Sequence, residues 1–201
     1  MNIIVAPCGS GKTTAAINKL APLASCPRKA LFLIDTHNGN LRIANEEALA
    51  MPYEFYEYRV ENTQFPFTDA DPTKIVATTY AQFGVWVRHN PELKTFFDII
   101  VCDEAHNIPI FPTFSAQPNF ASFARDALCE IAEHTDTLVV GITATPEPLS
   151  KLACAQYMVP IDTDQLRQYE VRETRTYASL PQVLEQIPSG KIGMLYVPHI
   201  T

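Results

Sequence analysis

Apolar and polar positions follow two rhythms along this chain. Short unbroken apolar runs, NIIVA (2–6), ALFLID (30–35), KIVATT (74–79), DIIVCD (98–103) and TLVVGIT (137–143), recur with YEFYEYRV (53–60) as a more polar member of the set. Runs that are apolar throughout, rather than at every second residue, suit strands buried on both faces. Between them, TTAAINKLAPLA (13–24), NLRIANEEALAM (40–51), YAQFGVWVR (80–88) and ASFARDALCEIAEH (121–134) read as helical stretches. Strands alternating with helical crossovers predict a doubly wound α/β domain, a parallel sheet with helices on both faces.

The pattern weakens toward the C-terminus. PLSKLACA (148–155) reads as helical and QYMVP (156–160) as a strand, after which the chain turns polar, so a domain boundary is expected near residue 160. Residues 161–201 read strand, helix, strand, too little apolar surface to form a domain alone. The segment NIPIFPTFSAQP (107–118) is expected to be a long loop, either a contact surface or a packed connection.

Composition narrows the class. No run approaches the ~20 apolar residues of a membrane span, and the N-terminus has no signal-like core, so a cytoplasmic protein with no membrane partner is expected. The five cysteines fit neither a disulfide framework nor a zinc pattern and read as reduced, mostly buried small residues. The formal charge of −7 lies wholly in residues 1–150. Such acidity argues against tight independent binding of nucleic acid, while leaving room for a narrow phosphate-contacting strip.

Two stretches carry chemistry. The strand NIIVA runs into Pro7, Cys8, Gly9, Ser10, Gly11, Lys12, Thr13 and Thr14 and then a helix. Glycines that turn successive N–H groups toward an anion, at a helix N-terminus, form a phosphate loop. Lys12 would reach the β and γ phosphates of a nucleoside triphosphate, and the Thr13 hydroxyl would ligate Mg²⁺. The usual leading glycine is replaced by Ala6. Asp103 and Glu104 end a buried strand, where ligands of open α/β sheets bind. Asp103 would hold Mg²⁺ through water, and Glu104 would take the proton of the water that attacks the γ phosphate.

The tetrapeptide Asp103-Glu104-Ala105-His106 behind an apolar strand, together with the AxxGxGKT of residues 6–13, resembles motifs II and I of superfamily 2 helicases and DEAH-box ATPases. Thr143-Ala144-Thr145 stands where that family has its Ser/Thr-Ala-Thr element, and KIGMLYVPHIT (191–201) is similar to the first strand of a second RecA-like domain. The resemblance implies a RecA-like helicase ATP-binding domain over 1–160, with a linker and the truncated beginning of the second domain over 161–201. It implies ATP and Mg²⁺ as cofactors, catalysis by Glu104, Asp103 and Lys12, and coupling of hydrolysis to nucleic-acid movement through His106, Thr143, Ala144 and Thr145. The partners it implies are single- or double-stranded DNA or RNA, held weakly by this part alone, and the rest of the second RecA-like domain.

IDTHNGN (34–40) and ATTYAQF (77–83) stand where the family touches the nucleic-acid backbone, and equally where ordinary strand-to-helix connections carry capping residues. The family's late arginine finger belongs to the second domain, so slow hydrolysis and no duplex unwinding are expected of the chain alone, read as a fragment or a shortened product. Two alternatives keep the nucleotide site: the ATPase domain of another DNA motor, of the viral packaging type, and a nucleotide-binding interaction module without helicase activity.

Overall fold

The computed structural model describes residues 1–7, 10–13, 15–16, 29–35, 53–56, 59–65, 75–114 and 117–160. The chain divides into two units, Met1–Gln168 and Tyr169–Thr201, and every described residue lies in the first. The sequence-based boundary near 160 and the assignment of 161–201 lie at or beyond the edge of the described residues.

Among the described residues seven strands form one sheet: β1 (Asn2–Val5), β2 (Ala30–Ile34), β3 (Tyr53–Tyr56), β4 (Ile75–Thr79), β5 (Ile99–Cys102), β6 (Leu138–Thr143) and β7 (Tyr157–Pro160). Their spatial order is β3-β4-β2-β5-β6-β1-β7, and each neighbouring pair is parallel. The apolar runs owe their continuity to this arrangement. In β2, Leu31 and Leu33 face one core while Ala30, Phe32 and Ile34 face the other, and all five are buried. Because side chains alternate across a strand, a sheet covered on both sides needs an apolar residue at every position.

One core is closed by helices α1 (Tyr80–His89) and α2 (Phe120–His134), which contribute Phe83, Trp86, Val87, Ala124, Leu128 and Ile131. The other gathers Ile75, Ala77, Ile99, Val101 and Ile142, with Ala16 from the helical residues that follow the phosphate loop packed against it. Each labelled helix starts on a side-chain cap: Thr79 accepts from the Gln82 N–H at 3.2 Å, and Asn119 from the Ser122 N–H at 3.0 Å. Gly84 lets α1 and α2 meet, since a Cβ there would stand 1.8 Å from the Phe120 carbonyl oxygen.

The segment expected as a loop after the acidic pair is instead a run of 3₁₀ turns over Ala105–Thr113. Pro109 and Pro112 lie inside it and forbid a continuous α ladder, yet shorter-range turns still let Ala105, Ile108 and Phe111 enter the core. Both readings of this segment have their residues, for Ile110 and Phe114 remain outside. Of the stretch 148–155, expected as helical, the first four residues belong to a 3₁₀ turn over Glu147–Lys151 and the rest is not helical.

Candidate active site

All strands point the same way, so their C-terminal ends form one rim, where the chemistry-bearing residues gather. Asp103 directly follows β5, and its N–H donates to the Leu33 carbonyl of β2 at 2.8 Å. Ala6 follows β1, and its N–H donates to the Thr143 carbonyl of β6 at 2.9 Å. The phosphate-loop strand and the acidic strand are not neighbours. β6 lies between them, which sets Thr143 between the two halves of the site.

Of the phosphate-loop residues, Pro7, Ser10, Gly11, Lys12 and Thr13 are described, while Cys8, Gly9 and Thr14 lie outside the described residues. Gly11 has φ +74°, a left-handed conformation that favours glycine. Its carbonyl accepts from Ala15 N–H at 2.8 Å and opens the helix. The buried Ser10 hydroxyl has no hydrogen-bond partner among the described residues. Buried polar atoms are ordinarily satisfied, so this oxygen is suited to a ligand entering the loop.

Thr13, buried, donates its hydroxyl to Asp103 Oδ2 at 3.0 Å. Burial raises the Asp103 carboxyl above its ordinary pKa, opposed by the Thr13 hydrogen bond and raised further by the charge of Glu104. Asp103 also holds the turn that follows. Its Oδ1 accepts from the Glu104 N–H at 3.1 Å, and its carbonyl accepts from the Tyr80 hydroxyl at 2.7 Å. Burial pushes that hydroxyl well above its ordinary pKa, which keeps it a donor.

Glu104 itself sits at φ 48°, ψ 46°, the one non-glycine positive φ among the described residues. Such a conformation is unfavourable for an ordinary residue and is concentrated at functional sites. The turn aims its carboxylate between two partners: Lys12 Nζ is 3.6 Å from Oε1, and His106 Nδ1 is 3.3 Å from Oε2. His106 Nδ1 also lies 3.0 Å from Thr143 Oγ1. Thr143 Oγ1 accepts from the Thr145 N–H at 3.1 Å and has the Thr145 carbonyl at 3.4 Å as acceptor for its own proton. That pattern leaves it a lone pair for a proton on Nδ1. The structure therefore brings Lys12, Thr13, Asp103, Glu104, His106, Thr143 and Thr145 into one connected cluster, with Ala144 between the two threonines.

One contact has no sequence signal. Asn107 donates its side-chain N–H to Asp35 Oδ2 at 2.7 Å, while its backbone N–H donates to the Glu104 carbonyl at 3.0 Å. Asp35 thus clamps, from the end of β2, the turn that holds Glu104. Burial raises the Asp35 pKa, an effect opposed by the Asn107 hydrogen bond. Asp35 belongs to the stretch 34–40 singled out in the sequence, but only spatial proximity pairs it with Asn107; residues 36–40 lie outside the described residues.

In the stretch 77–83, internal partners occupy three polar side chains. Thr78 donates to the Tyr56 carbonyl at 2.8 Å, Thr79 caps α1, and Gln82, fully buried, accepts from Arg59 N–H at 2.7 Å and donates to the Asn62 carbonyl at 2.9 Å. Among the described residues no group of three or more His, Cys, Asp or Glu is placed to hold a metal ion, and no helix is long and apolar enough to cross a membrane.

Solved structures share this fold at low identity. The UvsW helicase from bacteriophage T4 aligns with a TM-score of 0.52 and 12% identity over 80% of this chain and 54% of that one. The Pyrococcus furiosus Hef helicase domain aligns with a TM-score of 0.51 and 19% identity, over 81% of this chain and 35% of that one. The ATP-dependent Type ISP restriction-modification enzyme LlaBIII, bound to DNA, aligns with a TM-score of 0.50 and 19% identity over 72% of this chain and 11% of that one. The chain thus spans little more than half of UvsW and far less of the other two. No curated protein matches it significantly. The parallel sheet and its helices share the RecA-like fold of these two structures. Residues 1–148 match the family described as type III restriction enzyme, res subunit, or ResIII, and the chain belongs to that family.

Proposed function

We propose that this chain is the first motor domain of a DEAH-type, nucleic-acid-dependent ATPase, which binds ATP with Mg²⁺ and hydrolyses it at Asp103 and Glu104. The observation that carries this reading is the 3.0 Å hydrogen bond from Thr13 to Asp103. It joins two groups suited to one magnesium ion across 90 residues of sequence and an intervening strand. The residues fit the ligand. The buried Ser10 oxygen lacks a partner among the described residues, and Mg²⁺ bound through one or two protein oxygens completes its shell from phosphates and water. When present, the ion neutralises charge on the β and γ phosphate oxygens.

The protein's own groups do the remaining work. Loop N–H groups and the helix start at Lys12 hold the phosphates. Lys12 is within 3.6 Å of Glu104, and its ammonium is also the group that reaches the β and γ phosphates, so nucleotide competes for it. Binding then frees Glu104 to take the proton of the attacking water. Because His106 Nδ1 bridges Glu104 and Thr143, a change at the carboxylate reaches Thr143-Ala144-Thr145, the proposed coupling element. Nucleic acid as the load is supported by the DNA-bound state named for LlaBIII.

The test is thermal melting with MgATP, followed by turnover. A ligand at 100 times its dissociation constant adds ~2.7 kcal/mol of stability, so the melting temperature should rise by ~5–10 °C. Lys12→Ala should lose most of that shift. Glu104→Gln should keep it while residual turnover falls ~10²–10⁴-fold, the contribution of a positioned general base. Identical melting of wild type and Lys12→Ala, with and without nucleotide, would refute the assignment.

A further inference from the structure

Cys129 lies in the second half of α2, and Cys154 lies between the 3₁₀ turns of residues 147–151 and β7. The fold brings their Sγ atoms to 2.7 Å. Both are free thiols. A disulfide bond measures ~2.05 Å, so the pair stands well inside ordinary sulfur contact and short of a bond. The two differ in access, for Cys154 is fully buried while Cys129 is partly exposed. Cys102, the other described cysteine, is enclosed in the core and pushed up to about 12 by burial, which leaves it inert.

The contact also divides the protons. Either sulfur can donate across this contact, and the hydrogen bond between them lowers the Cys154 thiol while raising that of Cys129. One proton therefore leaves the pair more readily than the other. A second thiol in direct contact, ready to resolve an oxidised sulfur, is what separates redox-responsive cysteines from packed ones.

We propose that Cys129 and Cys154 form a dithiol that a hydroperoxide converts reversibly into an intramolecular disulfide. With one proton lost from the pair and the other on Cys154, Cys129 Sγ, on the less buried of the two residues, attacks a peroxide oxygen. The O–O bond breaks, hydroxide leaves from hydrogen peroxide (the alkoxide from an organic hydroperoxide), and Cys129 becomes a sulfenic acid. Cys154 Sγ then attacks the Cys129 sulfur, the S–O bond breaks, and water departs with the Cys154 proton. Two electrons pass from the thiols to one peroxide, and a dithiol reductant returns them. The bond ties α2 to the segment that leads into β7, and the loop it closes contains β6 and Thr143-Ala144-Thr145. A disulfide formed only under oxidant suits a reducing compartment, where such bonds are transient.

The experiment treats the full chain with sub-millimolar hydrogen peroxide and follows intact mass, non-reduced peptide maps and melting; none of these readouts depends on nucleotide. Expected are a loss of ~2 Da, the mass of two hydrogens, a linked Cys129–Cys154 peptide, and reversal by dithiothreitol. Closing a loop between residues 25 apart should raise the melting temperature by ~5–10 °C. Cys129→Ser and Cys154→Ser should each abolish the linked product. Should buried Cys154→Ser fail to fold, Cys129→Ser at the more exposed position carries the test. Linkage through Cys8 or Cys26, over-oxidation of Cys129 without a linked peptide, or an unchanged mass would each overturn the proposal.

Discussion

Asp35 shows how a residue away from the expected chemistry holds the geometry of the proposed site. Its carboxylate accepts from Asn107, whose backbone in turn holds the Glu104 carbonyl. Hydrogen bonds to charged groups contribute ~1.5–3 kcal/mol, so Asp35→Ala should lower stability by about that much and loosen the left-handed turn at Glu104. Asp35→Asn keeps an acceptor for Asn107 and removes a charge that burial disfavours, so it should be tolerated far better. The pH dependence separates the two effects. Asp35 has a raised pKa in the folded state, so the folded chain binds the extra proton between the unfolded and folded values. Stability should fall as pH rises through that window, and Asp35→Asn should flatten the fall. Asp103, raised in the same direction, should keep the slope from vanishing. Denaturant titrations of the three proteins from pH 3 to 7, at a roughly 1-unit spacing, make the measurement; an unchanged slope in Asp35→Asn would remove Asp35 from this role.

At the scale of elements, the contact between α1 and α2 sets how the helices cover the sheet. Gly84 stands where a Cβ would meet the Phe120 carbonyl oxygen at 1.8 Å and the Ala124 nitrogen at 3.2 Å. Two effects oppose each other in Gly84→Ala. Helix propensity favours alanine by ~1 kcal/mol, whereas forcing backbone apart in a packed interface costs ~1–3 kcal/mol or more. Because the neighbour is backbone, which cannot rotate away, the second effect wins. The variant should unfold at lower denaturant than wild type, and equal or higher stability would show that the helices separate at little cost. The consequence reaches the site, since Tyr80 of α1 donates to the Asp103 carbonyl.

For the molecule as a whole, formal charge and the proposed reading set what residues 1–201 should do when assayed by themselves. At a formal charge of −7, little electrostatic hold on nucleic acid is expected at physiological salt. An arginine supplied from outside the phosphate loop can contribute ~10³–10⁵ in phosphoryl-transfer rate, and the resemblance assigns that residue to the second domain. The chain alone should therefore bind nucleotide yet hydrolyse it slowly, with little stimulation by single-stranded DNA or RNA. A multiple-turnover assay checks this. Strong stimulated turnover that disappears in Glu104→Gln would mean that the charge-stabilising group comes from within this chain or from a second copy of it.

What the sequence determined by itself was local or periodic. Unbroken apolar runs specified strands buried on both faces, because side chains alternate across a strand and both faces of β2 are covered. Residues 6–13 and 103–104 stood out as candidate sites because glycine conformation, helix ends and charge act over a few neighbouring residues, whereas their reading as AxxGxGKT and DEAH motifs came from the resemblance. Tertiary structure decided what depends on proximity between distant segments. β6 lies between the phosphate-loop strand and the acidic strand, an ordering that no residue in either strand encodes. Asp35 meets Asn107 across 72 residues and Cys129 meets Cys154 across 25, pairings fixed by how strands and helices stack rather than by spacing. The 3₁₀ course of Ala105–Thr113 was hidden for a related reason. Its prolines read locally as a loop, and burial of Ile108 and Phe111, a property of the packed core, supplied the stabilisation that local propensity lacked.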